Sequence, residues 1–296
     1  MKSKSLAAVF NTLLSFSCLA GLIVLAPGLA TANQRTTKPL PEMLFAALPD
    51  GEGEVYFSQP TTRYAHGILG DNIEAGALSV STDQVRSFVL PRERVFEDLL
   101  PRLQDATGDG RPELIVVESH QDHGAAVSVY SIVNGAPMPL ARSPWIGTSN
   151  RWLNPVGVAD FNNDGKLEIA IVQTPHIGGI LILYQLQGRE LKEVARTSGY
   201  SNHEIGSRNL GLSYVVDWNC DGTTDIVLPD QNRRGVSAIS FADNAPSILD
   251  HLIVTSAIDG NFSFAVQSEE NLPVLSIPLK GGTIAQWTRN CSDEDG

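Results

Sequence analysis

Gly157-Val-Ala-Asp160-Phe-Asn162-Asn-Asp164-Gly165-Lys166-Leu-Glu168-Ile169-Ala-Ile-Val172 decides how this chain is read. An acidic loop runs straight into an apolar, β-branched stretch. Oxygen-bearing side chains occupy loop positions 1, 3, 5 and 9, and glycine occupies position 6. The order recurs on either side. Asp105-Ala-Thr107-Gly-Asp109-Gly110-Arg111-Pro-Glu113 precedes Leu114-Ile-Val-Val117, and Asp217-Trp-Asn219-Cys220-Asp221-Gly222-Thr223-Thr-Asp225 precedes Ile226-Val-Leu228. Three copies starting at 105, 160 and 217 are nearly evenly spaced, the mark of a repeat architecture.

The spacing suits a hard cation. Ca²⁺ takes six to eight oxygens at roughly 2.3–2.6 Å. Side chains at positions 1, 3 and 5 converge when the backbone coils around an ion. Position 7 (Arg111, Lys166, Thr223) adds its carbonyl. Position 9 (Glu113, Glu168, Asp225) closes the shell, and the sharp bend at position 6 favours glycine. Each loop offers three carboxylates, so up to three structural Ca²⁺ ions are expected. An EF-hand is excluded. Its bidentate Glu at position 12 is replaced by Val116, Ile171 and Leu228, and the runs that follow read as strands. A dockerin, with helices and closely spaced duplicates, is excluded with it. A metal-free Asp-Gly turn would explain one such loop; three with the same oxygen placement favour the ion.

The stretch around Asp160 resembles the FG-GAP/VCBS repeat family, which includes the calcium-loop blades of integrin-α-type β-propellers. The resemblance covers about residues 100–230. It implies that each loop joins the first and second strands of a blade. Thr107 departs mildly from it, standing where Asp or Asn is usual.

Each loop is followed by three strand-like runs: 113–118, 125–132 and 138–142 in the first copy, 168–173, 179–186 and 191–197 in the second. Four strands per repeat make one propeller blade. Residues 63–71, 77–81 and 85–90, and again 262–267, 273–279 and 283–288, keep the pattern without the acids. Their turns at 71–74 and 268–271 lack the oxygen spacing, so no metal is expected there. The expected fold is all-β: a β-propeller of five four-stranded blades over residues 51–291, with Ca-binding loops in the three central blades. The last blade lacks its outer strand, and residues 54–59 are expected to supply it and close the ring. The alternatives are a seven-bladed ring, for which the chain is short, and an open array or sandwich.

Residues 1–32 read as a secretory signal. Lys2 and Lys4 precede an apolar run that is broken by Asn11, Ser15, Ser17, Pro27 and Gly28 and ends in Ala30-Thr31-Ala32. The run is also long enough to span a bilayer, so an uncleaved anchor is the alternative. Ser15-Phe16-Ser17 ahead of Cys18 is a poor lipobox. Residues 33–50 read as a linker and 292–296 as an acidic tail. No other stretch is apolar enough to cross a membrane, so the expected location is the periplasm or the extracellular space. Cleavage leaves Cys220 and Cys291, free to pair in an oxidising compartment.

Hydrophobic content of 42% against 18% charged is that of a folded chain. Net charge −12 excludes a general nucleic-acid binder, which needs a basic surface to displace phosphate counterions. No His-Glu-x-x-His, Gly-x-Ser-x-Gly or phosphate-cradling loop marks an enzyme. Propeller enzymes assemble sites from scattered loops, however, so catalysis stays open.

In a propeller the metal loops share one face. The other face carries the turns between second and third strands and the links between blades. His120, Asp122, His123 and His176 fall in those turns, and Arg151, Trp152 and Arg208 in those links. Arg151 and Arg208 stand equally far ahead of Asp160 and Asp217. They are expected to hold an anion (a carboxylate, sulfate or sugar acid), with Trp152 and Tyr200 stacking on a sugar ring. Against this stand arginines that only brace neighbouring blades, in turns that are polar because they are wet. The histidines raise a transition-metal or hydrolytic site, against which stand solvated turn histidines. The expected function is an exported, calcium-stabilised binding module for a protein, glycan or cell-envelope component. The rivals are a secreted polysaccharide lyase or hydrolase on the same scaffold and a purely structural assembly partner.

Overall fold

The structure, a computed structural model, describes Leu40, residues 44–266 and 273–289, and Cys291. All lie in the compact unit spanning residues 35–296. The expected signal (1–32), the start of the linker, the 268–271 turn and the acidic tail (292–296) lie outside the described residues. No described helix is long and apolar enough to cross a membrane.

The chain is all-β. Five antiparallel meanders follow one another among the described residues. The first contains β1 (Ala46–Ala47), β2 (Glu54–Thr61), β3 (Glu74–Ser81) and β4 (Val85–Val89). The second contains β5 (Arg94–Phe96), β6 (Arg102–Gln104), β7 (Glu113–His120), β8 (Gly124–Val133) and β9 (Ala136–Arg142). The third is β10 (Leu153–Ala159), β11 (Glu168–Gln173), β12 (Ile180–Gln187) and β13 (Glu190–Ser198). The fourth is β14 (Tyr214–Val216), β15 (Asp225–Pro229), β16 (Gly235–Ser240) and β17 (Ser247–Ile253). The fifth is β18 (Ser263–Val266), β19 (Pro273–Pro278) and β20 (Ile284–Thr288). The short β5 pairs with both β3 and β7, and one parallel bridge, Glu190↔Arg142, links β13 to β9.

The apolar runs after the acidic loops are buried on both faces, and the pleat sorts them. Successive side chains of a strand point to opposite faces. Leu114 and Val116 of β7 therefore pack with Leu78 and Val80 of β3. Ile115 and Val117 pack instead with Ile169 and Ile171 of β11. Ala170 and Val172 of β11 turn the other way, onto Ile226 and Leu228 of β15. Val227 then packs with Leu275 and Ile277 of β19. Four cores thus lie between the five successive meanders, the first three of which are hydrogen-bonded into one 13-stranded sheet. Each buried Val, Leu or Ile contributes roughly 1.5–3 kcal/mol, and the three inner meanders are held from both sides. Register shifts recur at one place in three meanders, at Val129/Tyr130, Leu183/Tyr184 and Ala238/Ile239 of the third strand. Such bulges sharpen the local twist.

Two expectations are corrected. Residues 63–71 form no strand; Gly67 and Gly70 sit at φ +65° and +98°, which breaks any extended run. Their place is taken by β2, which contains the 54–59 segment expected to complete the last blade. Val55 instead pairs with Val80, because Val55 and Phe57 match the apolar period of β3. The end of the expected linker also joins the fold: β1 pairs with β2, and Leu40 and Leu48 are buried in the first core.

Candidate functional site

The three acidic loops join β6 to β7, β10 to β11, and β14 to β15, in each case the strand before a β-branched run to that run. They share three hydrogen bonds. The position-1 carboxylate accepts from the position-6 glycine N–H: Asp105 from Gly110 (2.8 Å), Asp160 from Gly165 (2.9 Å), Asp217 from Gly222 (3.1 Å). The position-5 carboxylate accepts from position 7: Asp109 from Arg111 (2.9 Å), Asp164 from Lys166 (2.9 Å), Asp221 from Thr223 (2.7 Å). The position-9 carboxylate reaches back to position 2: Glu113 to Ala106 (3.0 Å), Glu168 to Phe161 (3.1 Å), Asp225 to Trp218 (2.8 Å). Position 6 needs a left-handed backbone in every copy, with φ +82°, +82° and +86° at Gly110, Gly165 and Gly222. Position 4 is left-handed too, at Gly108, Asn163 and Cys220. Cys220 is the one residue of the three without a local preference for that region, and it is bonded to Cys291, Cα–Cα 5.4 Å.

The donor set fits a divalent cation. Asp217 Oδ1 and Asp225 Oδ1 are buried with no hydrogen-bond partner. Burial, with the neighbouring loop carboxylates adding, raises Glu113 and Glu168 above the usual range and pushes Asp225 up to about 6. At the third loop Arg289, 3.7 Å from Asp217 Oδ2, sets one positive charge against three carboxylates, and a bound cation would supply more. Asn162 and Asn219 hold neutral oxygens at position 3; Asn162 Nδ2 donates to Asn244 Oδ1 (2.8 Å) and Asn219 Nδ2 to Asp221 (2.8 Å). Thr107 turns its hydroxyl to Asp105. As arranged, the carboxylates face the loops' own N–H groups, and among the described residues no three acidic, His or Cys side chains gather as a metal shell.

The opposite strand ends carry a different chemistry. A cleft of about 230 Å³ is lined by His66, Ile68, Asn150, Arg151, Trp152, Thr174, His176, Ile177 and Ile205. Trp152 forms its floor; it is buried, and its indole N–H donates to Glu97 O (2.9 Å). His203 packs on Trp152 with ring centroids 4.7 Å apart and is itself fully buried. His176 Nε2 lies 2.9 Å from His203 Nδ1. Burial, with His203 and the positive Arg233 beside it adding, pushes His176 down to about 3. Burial pushes His203 down to about 4. On the other side His66 Nδ1 meets Glu97 Oε1 at 2.6 Å. Glu97 is fully buried, takes a second hydrogen bond from the Ser119 hydroxyl, and is raised by its burial. Beneath lies a polar layer in which Asp98 pairs with Arg102 (2.7 Å) and Asn154 bonds the carbonyls of Asn202 and Leu210.

Of the expected ligand residues, Arg151, Trp152 and His176 meet in this cleft. Arg208 does not. It pairs with Asp71 (3.2 Å) and bonds Leu69 O, bracing the link before β3. The two arginines therefore do not form one anion clamp. Trp152 and Tyr200 are buried at 2% and 7% exposure, so neither has a face free to stack on a sugar. His120 and His123 lie 4.6 Å apart in the β7–β8 turn and are not among the residues lining the cleft; His120 packs on Trp145, which sits under Arg142. The sequence reading missed His66, Glu97 and His203. They belong to no repeat and come from three separate links.

A family model described as FG-GAP-like repeat matches residues 105–171, which hold the first two loops. No curated protein sequence matches the chain. Solved structures overlay it loosely. Sqt1 of Saccharomyces cerevisiae does so at 11% identity over 82% of this chain and 62% of that one, TM-score 0.46. Rhamnogalacturonan lyase YesW does so at 16% over 79% and 50%, TM-score 0.43, and the exotype rhamnogalacturonan lyase YesX at 10% over 84% and 58%, TM-score 0.42. The chain spans between half and two thirds of these proteins' own length.

Proposed function

We propose that the chain with the FG-GAP-like repeat at 105–171 is an exported, calcium-stabilised β-propeller of five blades, acting as a binding module. One observation carries the reading: three loops share the same three hydrogen bonds, and the third leaves two carboxylate oxygens buried and unpartnered. Meanders packed through four successive cores support the blade arrangement. Asp105, Asp109 and Glu113 would hold one ion, Asp160, Asp164 and Glu168 a second, Asp217, Asp221 and Asp225 a third. Thr107, Asn162 and Asn219, and the carbonyls of Arg111, Lys166 and Thr223, would complete the shells. The cation supplies charge that lets these carboxylates stay ionised close together. The cysteine pair supports export, since such bonds persist in oxidising compartments. The binding surface is the turn end, where the cleft lies.

A second reading, a secreted lyase or hydrolase on the same scaffold, has one observation in its favour. His66 is oriented by a buried carboxylate, the arrangement that readies an imidazole for proton transfer.

Calorimetric unfolding of the chain lacking residues 1–32, in calcium and in chelator, tests the scaffold. Calcium is expected to raise the Tm, and Asp164→Ala to remove part of the rise. An unchanged Tm with no retained metal would reduce the loops to turns. Turnover of an anionic glycan, rather than saturable binding, would favour the enzyme.

A further inference from the structure

The turn-end cleft has a definite hydrogen-bond polarity. His203 Nε2 lies 3.0 Å from Ser207 O, and a carbonyl only accepts, so His203 carries its proton on Nε2 and its Nδ1 accepts. His176 must then donate from Nε2, which leaves its Nδ1 without a proton. His66 spends its Nδ1–H on Glu97 in the same way and keeps Nε2. Neither remaining nitrogen has a side-chain partner among the described residues, and His176 also bonds the His203 backbone. The ring nitrogens left over suit hydroxyls, which can both donate and accept.

Arg151 adds a cation to the same wall. Its guanidinium bonds only the adjoining Asn150 O (3.1 Å) and pairs with no carboxylate among the described residues, in a chain of net charge −12. Ile177 and Ile205 stand 63% and 64% exposed at the rim, over Ile68 and Trp152. The volume, about 230 Å³, is below the roughly 300–1,000 Å³ of drug-sized sites.

We propose that this cleft binds a small hydroxy acid of uronate size, free or at the end of a glycan chain. The carboxylate meets Arg151, hydroxyls hydrogen-bond to His66 and His176, and the C–H face of the ligand lies on the two isoleucines. This rests on the binding-module reading and names its ligand class.

Titration of the ¹⁵N-histidine-labelled chain tests it, since imidazole ¹⁵N shifts report tautomer and hydrogen bonding. Galacturonate, glucuronate and gluconate serve as probes. At least one is expected to shift His66 and His176 together, saturably. Galactose, lacking the carboxylate, and cyclohexanecarboxylate, lacking hydroxyls, should bind roughly ten-fold more weakly or worse. Arg151→Gln should weaken the acid by a similar factor, with Arg151→Lys in between. Tighter binding of trigalacturonate than of the monomer would assign a chain end, and equal binding a free acid. The proposal is overturned if none of the three acids moves either histidine at about 50 mM, or if Arg151→Gln binds as the parent does. Calorimetry with calcium on the same sample separates the failures: a calcium-stabilised protein that binds no acid loses only this inference.

Discussion

His176 Nε2 and His203 Nδ1 face each other at 2.9 Å, and with His203 Nε2 on the Ser207 carbonyl a neutral His203 accepts from His176. Burial favours the neutral form of both rings, with one proton between them and one on the Ser207 carbonyl. A second proton on His203, at Nδ1, would set N–H against N–H, beneath Trp152.

Acid should therefore loosen this end of the protein. Unfolded histidine titrates near 6.5, whereas burial holds folded His203 at about 4. Between those values the unfolded chain binds more protons, so stability is full above about pH 6.5 and falls as pH drops toward 4. At pH 5 the loss from His203 alone is about 2 kcal/mol. Tm against pH for the parent and for His203→Gln checks this. The two curves should converge between pH 7 and 5; parallel curves would refute the neutral pair.

Asp225→Asn should act oppositely in the two metal states. At neutral pH the Asp225 carboxylate is ionised against burial and against Asp221 and Asp217. Asparagine keeps an oxygen for the Trp218 N–H and removes the charge. In chelator the variant should be more stable than the parent by about 1 kcal/mol, allowing for screening, or a couple of degrees. In calcium it should be less stable, having lost a charged ligand. The order of Tm values in each condition decides.

Trp152 is a floor rather than a stacking platform, which separates two substitutions. Trp152→Phe keeps most of the bulk but loses the bond to Glu97 O, at about 1 kcal/mol. Trp152→Ala opens a cavity against His203 and should cost about 3–5 kcal/mol. Denaturant unfolding measures both. Similar losses would mean the indole is less enclosed than its 2% exposure states.

Breaking the cysteine bond should release the C-terminal end from the third loop. The cross-link spans 71 residues, and closing a loop of that length is worth about 4 kcal/mol in the chain-entropy account. Cys291→Ser should lower Tm accordingly. It should also blunt the calcium response of the third loop, because Cys220 is then freed from its left-handed backbone; a response equal to the parent's would show that the loop holds its own shape.

Several features could be read from the chain alone because they are local and repeated. A glycine that must bend at position 6 and a carboxylate that must return at position 9 recur three times, and the backbone follows them in all three. The β-branched runs predict strands for the same reason, since each side chain states its preference without reference to distant residues. The first meander was misjudged where that locality failed. Residues 54–59 carry an apolar alternation that suits either end of the chain, and only the match of Val55 and Phe57 to Val80 and Leu78 assigns them to β3.

The cleft was legible only in part: Arg151, Trp152 and His176 were expected ligand residues, and His66, Glu97 and His203 were not. His66 comes from the link between β2 and β3, Glu97 from that between β5 and β6, Arg151 and Trp152 from the link before β10, and His203 from the link after β13. Only Arg151 has a counterpart in another repeat, Arg208, and the histidines and Glu97 stand out in no local pattern. What the sequence determined by itself was the all-β pattern and the acidic loops, because strand periodicity and turn chemistry act over a few residues. Which arginine faces the cleft, which is spent on Asp71, and which imidazole nitrogen is left over were decided only by tertiary packing. Hydrogen bonding between distant segments uses up some polar groups and leaves others, and that remainder exists only once the meanders have packed.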